Sequence, residues 1–340
     1  MQRLSDLPRP YDLRVLVTPR FNLAATVWFL DPFRAANYLA GRSLFRWTLV
    51  SADGGHVDAS NAMAVTTVKL ADAADDQPDL AVVSSSWTPE RYGGGRLRST
   101  LRRWARLGVP LGALDTGAFV LAEAGLLEGR RATVHYEHMD AFGELYPTVE
   151  LCEDLYVLDN DRLTCCGGAA SADMALQILR ATQGETRANA AARYLFHERL
   201  RAPGESQYPI RAEPLGPTAP EKLRSAIAMM EDHLENAVPI AEIAVAIGLS
   251  QRQLERLFAD HVGLTPMRYY TGIRLDRARG LVTQTDMPLY AVAVACGFQS
   301  AEHFSRAYRS RFGLPPRRDR IEGRVPFEFR AWPMHAPTRP

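Results

Sequence analysis

Apolar residues in the first two hundred positions fall into short continuous runs, separated by longer stretches of helical spacing. Residues 13–17, 46–50, 64–68, 80–83 and 111–114 read as strands, and 155–158 with 163–164 as a hairpin around Asp159, Asn160 and Asp161. Residues 23–39, 97–107, 117–124 and 170–180 read as helices, the second amphipathic and loaded with arginine. Such alternation predicts a largely parallel sheet covered on both faces, an α/β sandwich. From about residue 220 the strand pattern stops and only the helical period remains, which predicts an all-α second domain.

Within that second domain one pattern occurs twice. A short apolar helix (Ile240, Ile243, Ala244, Ile247) meets Gly248, and Ser250 precedes a helix with Leu254, Leu257 and Phe258 on one face. The second copy has Leu289, Val292, Ala293 and Cys296, then Gly297, Ser300, Phe304, Ala307 and Tyr308. Ser250/Ser300, Leu254/Phe304, Arg256/Arg306, Phe258/Tyr308, Gly263/Gly313 and Pro266/Pro316 recur at one offset, while the leading glycines show that the second turn is one residue longer. Glycine permits the left-handed residue that ends a helix, and serine caps the next. This is a duplicated helix-turn-helix joined by a helical stretch over 267–282, a device for reading two neighbouring stretches of major groove. The outward faces carry Gln251, Arg252, Glu255 and Arg256 in the first copy, and Ala301, Glu302, His303 and Arg306 in the second. Arginine suits guanine N7/O6, glutamine suits adenine, and glutamate can accept from cytosine or orient a neighbouring arginine. An ordinary solvated helix face is the plain alternative for either copy alone; two linked copies argue against it.

Residues 220–320 resemble the DNA-binding domain of the AraC/XylS family. The likeness rests on 244–250, Arg274-Leu275 with Ala278, Val292-Ala293, Gly297-Phe298, Ser300, Phe304-Ser305-Arg306 and 312–316, with Gly280 a small departure that weakens the linking helix. It implies seven helices, with the two recognition helices held on one face, and a homodimer that activates transcription by contacting RNA polymerase.

Charge agrees with that reading. Residues 250–320 hold twelve arginines and six acidic residues, a net of +6 in a chain of net +1, so the remainder sums to −5. One locally basic domain on a near-neutral protein fits phosphate contact. Prolines 203, 209, 214, 217 and 220 punctuate a polar stretch, which divides the chain into a sensor-like domain at 1–200, a linker at 201–219, a DNA-binding domain at 220–322 and a tail at 323–340. No membrane-length apolar run and no secretory segment occur, and Cys152, Cys165, Cys166 and Cys296 lack zinc spacing, so a reducing cytoplasm and no metal or cofactor are expected.

The informative junction of the first domain is Leu114-Asp115-Thr116-Gly117-Ala118-Phe119, where a buried strand passes straight into a helix of small residues. That is the geometry of a nucleophile elbow. Asp115 has three readings: a carboxylate nucleophile, a helix cap, or a pocket residue facing a ligand. With the segments at Gly125, Gly129 and His135-Tyr136, the stretch resembles the PfpI-like, class I amidotransferase-like superfamily, and most closely the sensor domains of GlxA-type AraC regulators. The resemblance implies a flavodoxin-like sandwich. It also implies an elbow cysteine partnered by a histidine near His135. This chain has Asp115 there, so thiolate chemistry is lost and no enzyme is expected. The alternative is an amidase or glyoxalase fused to a DNA-binding domain, with Cys165 or Cys166 as a migrated nucleophile.

Asp115, Thr116, His135, Trp28, Trp87 and Tyr136 are the candidate ligand residues. A carboxylate among aromatic faces suits a cation. The Asp-Thr-Gly-Ala-Phe elbow resembles that of regulators of glycine betaine, carnitine, sarcosine and arginine catabolism, which implies a quaternary ammonium or basic amino-acid effector. Core packing is the plain alternative for each tryptophan and for His135.

Overall fold

The computed structural model describes residues 9–86, 94–207 and 219–322, and the chain divides into two compact units, Met1–Gln207 and Tyr208–Pro340. Trp87, most of the proline-rich linker and the 323–340 tail lie outside the described residues.

The first unit is organised around β1 (Tyr11–Val17), buried along its whole length. Helix α1 (Leu23–Ala40), β2 (Phe45–Ser51), β3 (Gly55–Asp58), β4 (Ala64–Lys69), the short α2 (Leu70–Ala73) and β5 (Leu80–Ser84) follow. After α3 (Gly95–Arg106) come β6 (Leu111–Leu114), α4 (Gly117–Glu123), β7 (Arg131–Ala132), α5 (Met139–Leu145), β8 (Glu150–Leu151), β9 (Tyr156–Asp159), β10 (Arg162–Cys165), α6 (Ala170–Gln183) and α7 (Glu185–Tyr194). Among the described residues, eight strands form one sheet in the order β3-β4-β2-β1-β5-β6-β10-β9. Only the β3–β4 and β9–β10 pairs of that sheet are antiparallel. The parallel strands β2-β1-β5-β6-β10 give the flavodoxin order, 2-1-3-4-5 in chain sequence.

Alternate residues of a strand face opposite layers, which explains why the strands read as continuous apolar runs. Leu13, Val15 and Val17 pack with Phe29 and Phe33 of α1 and Met174 of α6. Leu16, Val83 and Ala113 pack with Leu101 and Trp104 of α3 and Val120 of α4. The winding reverses between β1 and β5, and the carboxyl ends of such neighbouring strands are where open α/β sheets bind ligands.

Beyond α7 the chain returns across the sheet's far edge. His197 Nε2 lies 2.8 Å from Asp173 Oδ1 on α6, and Arg201 donates to the same carboxylate from its amide (2.9 Å) and its Nε (2.8 Å). The Tyr156 hydroxyl donates to the Arg201 carbonyl, and the Leu155 amide to the Glu205 carbonyl, each at 2.7 Å. Gln207 Nε2 donates to Thr133 Oγ1 and the Val134 carbonyl, each at 2.9 Å. Residues 201–207 are thereby stitched into the first unit.

The second unit is helical throughout its described residues: α8 (Glu221–Asp232), α9 (Ile240–Ala246), α10 (Gln251–Val262), α11 (Pro266–Gln284), α12 (Leu289–Ala295), α13 (Ala301–Phe312) and α14 (Pro316–Glu322). It has two half-cores. One gathers Leu223, Ile243, Leu254 and Phe258 around Tyr270; the other gathers Val292, Phe304 and Tyr308 around Leu275 and Ala278. Tyr270, Leu275 and Ala278 all belong to α11, so one helix spans both copies despite Gly280.

Candidate functional site

Three strand ends converge in the first unit. Thr18 follows β1, Ser85 and Ser86 follow β5, and Asp115 and Thr116 follow β6. Thr18 Oγ1 donates to Ser85 Oγ, and Thr26 Oγ1 and Ser84 Oγ share a hydrogen bond, each at 2.8 Å. The Thr116 hydroxyl is buried and donates to the Ser86 carbonyl, so it locks the strand ends together. Asp115 stands at the tip with φ +58°, a left-handed conformation that aspartate tolerates better than most residues. Its amide donates to the Cys165 carbonyl at 2.9 Å, and the loop at Gly167 passes so close that a Cβ there would lie 3.0 Å from Asp115 Cβ.

Asn22 is the residue that sequence reasoning missed. It caps α1 by accepting the Ala25 amide at 3.0 Å, and its Nδ2 donates to Asp115 Oδ2 at 2.7 Å. Asp115 is only 4% exposed and has no ion-pair partner among the described residues. Burial pushes its carboxyl up to about 7, against the Asn22 and Thr116-amide hydrogen bonds that favour the charged form, and the nearby charge of Glu137 adds to the rise. Glu137, itself exposed, is the smallest of these contributions.

The other candidates fall at differing distances from this centre. His135 is partly buried, its Nδ1 accepts the Glu137 amide at 3.4 Å, and burial lowers it to about 4, so it is neutral at pH 7. The Tyr136 ring lies against it, centroids 4.5 Å apart, and is 41% exposed. Trp28 does not join the group: it is on the outward side of α1 beside Val27, whereas Asn22 and Thr26 face the elbow. Cys165 and Cys166 are buried, and Cys165 together with burial holds the Cys166 thiol up, the opposite of what a nucleophile needs.

An aspartate whose folded pKa lies above its unfolded value binds the proton more tightly when folded. Its contribution is therefore favourable below the unfolded pKa and is lost as pH rises from about 4 to about 7. Asp115→Asn keeps the acceptor for Asn22 and removes the titration. The stability difference between the two proteins should grow with pH across that window, at up to ~1.4 kcal/mol per unit, then stay level. Equal pH profiles in urea titrations would show that Asp115 does not titrate there.

In the second unit the caps fall where the repeat places them. Gly248 and Gly297 take φ +67° and +70°. The Ser250 hydroxyl accepts the Gln253 amide, and Gln253 reaches back to the Ser250 amide at 2.8 Å, a complete capping box. Ser300 Oγ accepts the His303 amide at 3.0 Å, but the residue at the reaching-back position is His303, whose ring meets Phe298 edge-on at 5.7 Å. Gln251, Arg252, Glu255 and Arg256 are exposed on α10, as are Ala301, Glu302, His303 and Arg306 on α13. Gln251 and Glu255 bond to each other at 3.0 Å. Arg256 and Arg306 have no side-chain partner among the described residues and occupy equivalent positions. Ser305, also exposed, is the equivalent of Glu255 and was visible in the repeat offset. Arg274 of α11 clamps the second turn, donating to the Cys296 carbonyl at 2.7 Å and to the Gly297 carbonyl, with its guanidinium 4.4 Å from the Phe298 centroid.

Residues 243–321 match a helix-turn-helix domain family, and residues 21–181 match the DJ-1/PfpI family. The chain is 40% identical over 309 residues to the HTH-type transcriptional regulator CdhR of Pseudomonas aeruginosa, covering 91% of each chain. It is 32% identical to the HTH-type transcriptional regulator GlxA of Rhizobium meliloti, covering 93% of this chain and 97% of the relative. A crystal structure of an AraC family transcriptional regulator from Pseudomonas putida superposes with a TM-score of 0.51 at 27% identity, over 55% of this chain and 100% of the other. The chain belongs to the AraC family of transcriptional regulators, in the branch that joins a DJ-1/PfpI-type domain to a C-terminal double helix-turn-helix.

Proposed function

We propose that this protein activates transcription in response to a small cation, a quaternary ammonium compound or a basic amino acid, bound without chemical conversion at the Asp115 elbow. The observation that carries this is the buried carboxyl of Asp115, without an ion-pair partner among the described residues, with Glu137 close by and a neutral His135. A ligand cation supplies the charge partner that the described residues lack, and it would be drawn to the ionised form of Asp115. Tyr136 supplies an aromatic face. Ligand binding then shifts the balance between states that differ in their fitness for operator DNA and RNA polymerase. Arg252, Arg256 and Arg306 are the base- and phosphate-contacting residues of this reading, and the setting is cytoplasmic.

A homodimer fits the outward stripe of α1, where Val27, Trp28, Tyr38 and Leu39 are exposed. Asp31 and Arg34 on the same helix pair with each other, so the apolar stripe carries this reading; sedimentation of the full chain reads the oligomeric state directly.

The test is thermal unfolding of the full chain with glycine betaine, dimethylglycine, sarcosine, carnitine, choline and arginine. A true effector at one hundred times its dissociation constant should stabilise by about 2.7 kcal/mol. Its affinity should fall tenfold per unit as pH drops below about 7. Asp115→Ala should abolish the shift and leave DNA binding unchanged. A shift that survives in Asp115→Ala removes the elbow from the pocket, and silence across the whole panel removes the cationic effector.

A further inference from the structure

Helix α3 of the DJ-1/PfpI-type unit is the most basic element of a part of the chain that is otherwise acidic. Its twelve residues include Arg96, Arg98, Arg102, Arg103 and Arg106 and no acidic side chain, while residues outside 250–320 sum to −5. The inward face is accounted for by Leu97, Thr100, Leu101 and Trp104, all buried. Two arginines are engaged within the molecule, since Arg98 pairs with Glu123 and Arg103 with Asp75 at 2.8 Å.

The remaining three share the exposed side. Arg96 and Arg106 make no side-chain hydrogen bond or ion pair among the described residues. Arg102 donates Nε to the Ala124 carbonyl at 2.8 Å, which fixes the guanidinium and leaves its terminal nitrogens without a partner among the described residues. Arg102 and Arg106 flank an open groove of about 510 Å³ floored by Ala105, Ala124 and Leu126.

The helix dipole explains arginines in the last turn, where the carbonyls are unsatisfied. It works against Arg96 and Arg98 in the first turn. Arg98 is met by Glu123, but Arg96 is exposed at an unfavourable position with no anion among the described residues, and an external anion would offset that cost. From Arg96 to Arg106 the row spans about 15 Å along the axis. Duplex DNA presents one negative charge per ~1.7 Å of its axis, so a row of that length faces several phosphates in any register.

We infer that the exposed arginines of α3 contact the phosphate backbone of duplex DNA, as an accessory, sequence-independent surface in addition to the two recognition helices. The inference rests on the DNA-binding role of the helical unit and is independent of the effector.

The test uses the full chain and generic duplex DNA, with affinity measured against NaCl concentration. Arg96→Glu with Arg106→Glu reverses two charges that have no intramolecular partner among the described residues and leaves the Arg102 anchor intact. A second variant, Arg96→Ala with Arg102→Ala and Arg106→Ala, removes the whole row. The slope of log affinity against log salt should become shallower by roughly 0.9 for each phosphate no longer engaged, so by about two to three for the triple variant. Affinity should weaken alike for all sequences. An unchanged slope in both variants, with wild-type protein binding DNA normally, overturns the inference. So does a drop in transcription activation at unchanged DNA affinity, which would assign the row to an acidic protein surface. Wild-type protein that fails to bind duplex DNA would instead count against the DNA-binding reading itself.

Discussion

Gly117→Ala should unfold the N-terminal unit at a temperature lower by ~6–12 °C, the consequence of losing about 3 kcal/mol or more in a unit of this size. The reason is space and not backbone freedom. A Cβ at Gly117 would stand 2.2 Å from the Val83 carbonyl oxygen and 3.4 Å from Ala113 Cβ. Val83 lies in the centre of the sheet, where β5 pairs with both β1 and β6, so its oxygen cannot retreat without breaking the ladder. The tight turn that presents Asp115 depends on α4 starting flush against β5. Gly129→Ala is the control, because it has φ +63° and nothing within 4 Å. That variant should lose only the cost of a left-handed alanine, about 1 kcal/mol. Equal melting temperatures for the two variants would mean that α4 shifts outward freely and the elbow is not rigid.

Arg256→Ala combined with Arg306→Ala should cost roughly 2–6 kcal/mol of operator affinity, about 1–3 kcal/mol from each. The two occupy the same position relative to caps Ser250 and Ser300, and neither is held by another described side chain. They sit on the exposed faces of separate helix-turn-helix copies, so their effects should add. Competition with generic DNA separates their roles. Reduced specificity at one base pair marks a base contact, whereas a uniform loss with a shallower salt dependence marks a phosphate contact. Gln253→Ala is the counterpart, since its side chain completes the capping box of α10. It should lower helix stability by about 1 kcal/mol and leave sequence preference as it was. Undiminished operator binding by the double arginine variant would move recognition to other residues of α10 and α13.

Much of the architecture is legible in the sequence because it is local. Caps, turns and apolar faces repeat at a fixed offset, so the double helix-turn-helix follows from spacing, and the elbow follows from one strand-to-helix junction. Long-range pairings are not legible. Asn22 meets Asp115 across 93 positions because α1 and α4 begin at the ends of β1 and β6, on either side of β5, and no periodicity reports that. Residue type groups Trp28 with the pocket, yet the helical period turns it away from Thr26, which shares the elbow side. The short strand β3 escapes the sequence pattern because its four residues, Gly55–Asp58, lie at a sheet edge and carry only Val57 as a buried side chain.

The returning segment at 197–207 bears on where this protein can be cut. Asp173 is wholly buried, and its charge is met by Arg201 and by His197. A fragment ended at residue 200, where composition alone draws the border, would keep the carboxylate and discard the guanidinium. The carboxylate would keep only the His197 ring, and breaking the Arg201 half of this buried pair costs up to about 3–5 kcal/mol, a large share of a typical domain's stability. The same cut would strip Leu155, Thr133 and Val134, which adjoin β9 and β7, of their hydrogen-bond partners at Glu205 and Gln207. A sensor fragment intended for crystallisation or ligand screening should therefore run through Gln207.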